Sequence, residues 1–222
     1  MLQERNNPLP QAMIGATTHL QHNHYEPAKY FVREAQGRLL NRYGQRMMLA
    51  SEDFIVGYQL ALEEEVGDAA AEIMYRCGLE WGKADMAGFE TRFREEFGRP
   101  TSEAHARMVL ETWWWPLQAA GWGAWNYDLA QIKEGLIFVD LYNSAVAKSI
   151  GNIGKVACHY YAGLFAAAFG HIARADLSGL EIQCYSMGEE FCKFLVGASK
   201  RIHAAQFWSR EGATASEIIA RL

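Results

Sequence analysis

Three cysteines and one glutamate in the last third of the chain are the side chains best able to do chemistry. Cys158 is followed by the run Glu181-Ile-Gln-Cys184 and then, after seven intervening residues, by Cys192. Thiolates and carboxylates bind divalent metals, and structural zinc takes four such ligands in a closed tetrahedral shell. Three sulfurs and one carboxylate would fill that shell and leave no position for a catalytic water. In a reducing compartment buried free thiols fit the same pattern, so spacing alone leaves both readings open. The fourth cysteine, Cys77, falls on an apolar helical stripe and reads as core.

Elements must position these four groups. Residues 180–185 and 191–196 are strand-like and flank the turn Ser186-Met187-Gly188-Glu189, so the turn can bring Cys184 and Cys192 together. Residues 151–173 are apolar on almost every side, which predicts a central buried helix able to supply Cys158 from above. One difficulty is geometric. Residues three apart on a regular strand point to opposite faces, so Glu181 and Cys184 can share a metal only if the strand bends, bulges or begins between them.

Upstream, residues 46–49 suggest a short strand. Ser51, with Glu52 and Asp53 behind it, reads as a helix start, and Phe54, Tyr58, Leu62 and Val66 recur at helical spacing. Gly67-Asp68 breaks that helix, and a second one places Ala70, Met74, Cys77 and Trp81 on one face. Gly98-Arg99-Pro100-Thr101 stops it and opens a helix from Ser102 towards Trp115, which Pro116 and Gly121-Trp122-Gly123 end. Residues 122–129 and 136–143 then read as a hairpin through Lys133-Glu134-Gly135. The fold class expected is α/β in the α+β sense, an antiparallel sheet packed with helices.

Composition narrows the function. Half of the 222 residues are hydrophobic and the net charge is −5, with no basic stripe; a phosphate backbone needs clustered positive charge, so nucleic acid is not an expected partner. No stretch approaches the ~20 apolar residues of a membrane span. The N-terminus lacks a basic start with an apolar run, so a cytoplasmic protein is expected. The chain divides into an arm over residues 1–27, which contains His19, His22 and His24, one domain over 28–200 and a helical tail over 201–222. The sequence has no Gly-x-Gly-x-x-Gly after a strand, no phosphate-binding loop, no Gly-x-Ser-x-Gly and no His-Glu-x-x-His. Catalysis is therefore the weaker reading.

The segment His159-Tyr-Tyr-Ala-Gly-Leu-Phe165, followed by Leu180-Glu-Ile-Gln-Cys184-Tyr-Ser-Met-Gly188-Glu-Glu-Phe-Cys192-Lys-Phe194, resembles the signature of the 4-vinyl reductase domain family. That family includes sensor domains of phenol-responsive activators and proteins associated with bacteriochlorophyll synthesis. Its fold is similar to nitric-oxide-sensing haem domains and trafficking-complex subunits. The resemblance implies a structural zinc held by Cys158, Glu181, Cys184 and Cys192. It also implies an apolar pocket beside the central helix, for which Trp113, Trp122, Trp125, Tyr161 and Phe165 are candidates. Phenol sensors hold the ligand hydroxyl with a His and a Trp; His105 with Trp122 or Trp125 is the counterpart in type, though at a different spacing. The function implied is a small-molecule-binding sensor or carrier, expected as a homodimer. The alternatives are an accessory protein or reductase acting on a tetrapyrrole intermediate, and an interaction scaffold without ligand.

Overall fold

The computed structural model describes residues 26–222, so most of the expected arm, His19, His22 and His24 included, lies outside the described residues. A short helix α1 (Pro27–Tyr30) leads into a small antiparallel sheet of β1 (Phe31–Arg33), β2 (Leu39–Asn41) and β3 (Arg46–Met47). Two helices follow, α2 (Glu52–Val66) and α3 (Ala69–Phe97), parted at Gly67. Next come α4 (Ala106–Ala119), β4 (Ala124–Asp128), β5 (Leu136–Tyr142) and a single turn of helix, α5 (Ala147–Ile150). The chain ends in α6 (His159–Ala173), β6 (Ser178–Gln183), β7 (Cys192–Gly197), α7 (Ser199–Arg210) and α8 (Ala215–Arg221). The main sheet is antiparallel in the order β4-β5-β7-β6. This is the expected fold class.

The α6 helix is the axis of the core. Every residue from Tyr161 to Gly170 is buried, because the helix meets the sheet on one side and α3 on the other. Glycines permit the close approach: a Cβ at Gly78 of α3 would sit 1.9 Å from the Tyr160 carbonyl oxygen, and one at Gly163 would sit 2.0 Å from that of Tyr75. On the opposite face of the sheet, Leu136, Phe138, Ile182 and Leu195 are covered by Ile202 and Ala205 of α7 and Ile218 of α8.

Four local expectations change. The buried stripe of α3 runs through Ala70, Met74, Gly78, Gly82, Met86, Phe89 and Phe93, which leaves Cys77 exposed; the glycines that admit α6 define the face, and an apolar count overlooks them. On α2 the apolar row is turned outward, with Phe54, Tyr58 and Val66 exposed while Val56 and Gln59 are buried. Pro116 lies inside α4, near its end, and Ala120 N donates to the Pro116 carbonyl at 3.0 Å to close the last turn. The central helix starts at residue 159. Gly151 and Gly154 take positive φ (78° and 72°), which breaks the helix and lets residues 151–157 lie as a strap on the β6–β7 turn. Ile153 N and Gly154 N both donate to the Ser186 carbonyl, at 2.9 and 2.8 Å.

Candidate metal centre and cleft

The strap, the hairpin and the N-cap of α6 enclose a buried cluster of thiols and a carboxylate. Cys158 occupies the N-cap position of α6, Cys192 opens β7, and Cys184 follows the last residue of β6. The obstacle of strand alternation is removed by a bulge. Glu181 pairs with Phe194 and Gln183 with Lys193, so β6 carries one residue more than β7 across that step. Ile182 is the extra residue and packs on the α7 side. Glu181 and Cys184 are thereby returned to the side facing α6.

All four groups are buried, and one ligand atom from each lies within 4.8 Å of the others. Cys192 Sγ stands 3.7 Å from Cys158 Sγ and 3.6 Å from Cys184 Sγ. Thiolates ~2.3 Å from a tetrahedral zinc would stand about 3.8 Å apart, so these two sulfur separations fit a metal-bound pair. Glu181 Oε2 accepts the Cys158 amide at 2.6 Å, while Glu181 Oε1 is buried with no hydrogen-bond partner. A buried orphan oxygen carries a desolvation penalty, which a cation at this point would remove. Two hydroxyls complete the surroundings: Ser144 Oγ lies 3.1 Å from Cys158 Sγ, and Ser186 Oγ lies 2.9 Å from Cys184 Sγ and 2.6 Å from the Lys155 carbonyl oxygen.

Without a cation, the electrostatics of the cage favour partial protonation. Burial pushes the Cys158 thiol and the Glu181 carboxyl well above their ordinary ranges; Cys184 pushes both the same way, while the Cys158 amide and Cys192 act to lower Glu181. Hydrogen bonds from Cys158 and Cys192 hold Cys184 well below the usual thiol range. Four adjacent buried acids cannot all ionise without a compensating cation. Among the described residues, the donors that converge are those four; His159, beside Cys158, is not one of them.

The family model for the vinyl-4-reductase domain, abbreviated V-4-R, matches residues 137–198. Over that segment the chain is similar to the domain family. The segment spans β5 to the end of β7 and so contains all four converging donors. In overall fold the chain is similar to the phenol-responsive sensory domain of the transcription activator PoxR, determined with phenol, at a TM-score of 0.63 and 16% identity over 86% of this chain and 92% of that one. An uncharacterized protein of Methanocaldococcus jannaschii is 25% identical over 76 residues, 34% of this chain and 44% of that relative's length. A vinyl-4-reductase family protein from the same organism covers 68% of this chain and 82% of its own, at 15% identity and a TM-score of 0.45.

A cleft of about 630 Å³ lies mostly among residues outside that segment, walled by β1–β3 and the loop to α2 on one side and by α3, the end of α4 and the start of α6 on the other. Trp81, Trp122 and Tyr160 form one aromatic wall: Trp81 stacks on Trp122 at 4.9 Å, and Tyr160 lies 5.7 and 6.0 Å from them. Asp85, Arg92, Asn41 and Gln45 give the cleft polar atoms. The Trp113 indole donates to Asp85 Oδ2 at 2.8 Å, and burial raises the Asp85 carboxyl above its ordinary range against the lowering effects of Trp113 and Arg92.

Of the six residues expected to meet a ligand, Trp122 borders this cleft. Trp113, Trp125, Tyr161 and Phe165 are buried in the core instead. Trp125 packs against Trp113, Trp114, Tyr127, Phe165 and Phe169, and Tyr161 donates its hydroxyl to the Trp122 carbonyl at 2.6 Å. His105 is exposed at the N-cap of α4, where its Nδ1 accepts the Arg107 amide at 3.3 Å. Trp81, Asp85 and Arg92 of the cleft escape a reading of the sequence. Their signal is an aromatic, an acid and a base along one side of α3, at i, i+4 and i+11, on a helix that invites reading only for its apolar stripe.

No helix of the described residues is long and apolar enough to cross a membrane.

Proposed function

We propose that this chain is a small-molecule-binding module, a sensor or carrier, whose hairpin is locked beneath α6 by a structural zinc ion. The observation that carries the zinc reading is the buried cage itself: three sulfurs and a carboxylate with ligand atoms within 4.8 Å of one another and Glu181 Oε1 unsatisfied. A soft thiolate-rich set with one carboxylate suits zinc better than calcium or magnesium, which prefer oxygen. With four protein ligands the shell is closed. The ion would neutralise the buried acids and stabilise the junction of helix and hairpin.

The cleft supplies the ligand site. A concave volume of this size with aromatic walls and a few polar groups is the usual form of a small-molecule pocket. The similarity to a sensory domain that binds phenol supports the same class of role here. The strap and the 144–145 turn join the two sites: Ser144 touches Cys158 Sγ while Ala145 borders the cleft. A two-fold dimer, in line with the resemblance to the sensors, belongs to the same reading, and a sedimentation mass equal to that of one chain contradicts it.

Tryptophan fluorescence titration tests the ligand reading. Saturable quenching by an aromatic panel of phenol, naphthalene and biphenyl is expected, and Trp81→Ala should remove most of it. A folded, metal-loaded protein with no saturable response to any of them would overturn the reading.

A further inference from the structure

The polar end of the cleft is built around one guanidinium. Arg92 folds back along α3 onto Gly88, where an added Cβ would meet Arg92 Nη1 at 2.9 Å. Its Nη1 donates to Gln45 Oε1 at 3.1 Å, and Gln45 is held in turn by Asn41 Nδ2 at 3.1 Å. The side chain is 14% exposed, so the charge is largely withdrawn from bulk water while still bordering the cleft. Asp85 Oδ1 stands 3.7 Å from Arg92 Nη2, beyond hydrogen-bonding distance, and Asp85 Oδ2 is engaged by Trp113. A guanidinium has five donors in a planar fork, and these partners leave a fork edge for a planar acceptor.

The aromatic wall is at the other end of the same helix face. Trp81 and Gly88, the level to which the guanidinium returns, are separated by about 10 Å of helical rise. A single ring cannot reach both ends. Two cations, Arg46 and Arg92, and two carboxylates, Glu52 and Asp85, border the cleft. Glu52 is engaged by the Ser149 hydroxyl at the outer end, and at the inner end Asp85 takes the Trp113 indole and stands 3.7 Å from Arg92. Arg92 is the cation that borders the inner end of the cleft.

We infer that the cleft takes an aromatic acid longer than one ring, its rings against Trp81, Trp122 and Tyr160 and its carboxylate on the fork of Arg92. This rests on the reading of the cleft as a ligand site and adds the chemistry of the head group. Bidentate, charge-assisted hydrogen bonding to a carboxylate is the interaction an oriented, poorly solvated guanidinium makes best.

The test uses the full chain and three probes of one shape: biphenyl-4-carboxylate, biphenyl-4-carboxamide and biphenyl. The carboxylate is expected to bind at least about tenfold more tightly than either neutral probe, as for one charge-assisted pair. Arg92→Gln should erase that preference while leaving biphenyl affinity unchanged; Arg92→Lys, which keeps the charge without the fork, should retain part of it. Trp81→Ala should weaken all three. Should Arg92→Gln fail to melt cooperatively, the lysine variant and the shrinking of the wild-type preference in high salt decide. Equal affinities for acid and neutral probes, or a preference that survives Arg92→Gln in folded protein, would overturn the acid inference and leave the ligand site standing. Failure of all three probes to bind would remove the ligand site itself.

Discussion

The amide of Cys158 donates to Glu181 Oε2 at 2.6 Å, tying the N-cap of α6 to the bulge in β6. One carboxylate oxygen thus holds the helix start, while the other is buried without a hydrogen-bond partner. Glu181→Gln preserves an acceptor for the amide but removes the charge. Zinc affinity is expected to fall by at least about tenfold, the lower bound for losing even an outer-shell partner. Competition with a chromophoric chelator measures it; unchanged affinity would place Glu181 outside the ligand set.

Acid should empty the cage. Without metal, burial keeps Cys158 and Glu181 protonated, whereas metal binding needs both ionised. Loading therefore expels protons, and affinity rises with pH. Between about pH 6 and 8, apparent zinc affinity should strengthen by roughly two decades or more per pH unit if at least two protons leave. Proton release on zinc addition, measured in weakly buffered solution, gives the number directly. Release of none would mean the cage was already ionised.

Close packing of α3 on α6 has its own test. Gly163→Ala would bring a methyl 2.0 Å from the Tyr75 carbonyl and 2.7 Å from the Leu79 amide nitrogen, both backbone atoms. The helices must separate, at a cost of about 2–3 kcal/mol for overpacking a tight core. Urea denaturation should show this as a lower midpoint. A variant as stable as the parent would mean that the two helices are farther apart in solution.

Part of the candidate site is legible in the sequence. Residue types and spacing single out Cys158, Glu181, Cys184 and Cys192 but leave buried free thiols equally open, and the family resemblance is what points to one ligand set; strand alternation asks for a bend, a bulge or a strand start between Glu181 and Cys184, and a bulge is what occurs. The cleft is not legible this way. Aromatic clustering does not distinguish a core from a wall, and Trp113, Trp125, Tyr161 and Phe165 fill the core. The cleft depends on where β1–β3 sit against α3, a relationship of distant segments that leaves no periodic trace. Likewise Cys77 matches an apolar repeat, but close helix approach is set by Gly78 and Gly82, which add nothing to such a count.

Two tryptophans separate the core from the cleft. Trp125→Ala empties a fully buried site and is expected to destabilise the protein by about 3–5 kcal/mol. Trp81→Ala removes a half-buried ring from the cleft wall, so its stability loss should be smaller while its ligand-induced quenching disappears. Thermal melts and fluorescence titration of both variants check the contrast. Similar behaviour of the two would show that Trp81 is simply another core residue.

Zinc content of the purified, fully reduced chain bears most directly on the cage. After dialysis against metal-free buffer, elemental analysis should find one zinc per folded chain, and essentially none in a Cys184→Ala, Cys192→Ala double variant. Folded wild-type protein without zinc, and unable to take it up when zinc is supplied under reducing conditions, would contradict the metal centre.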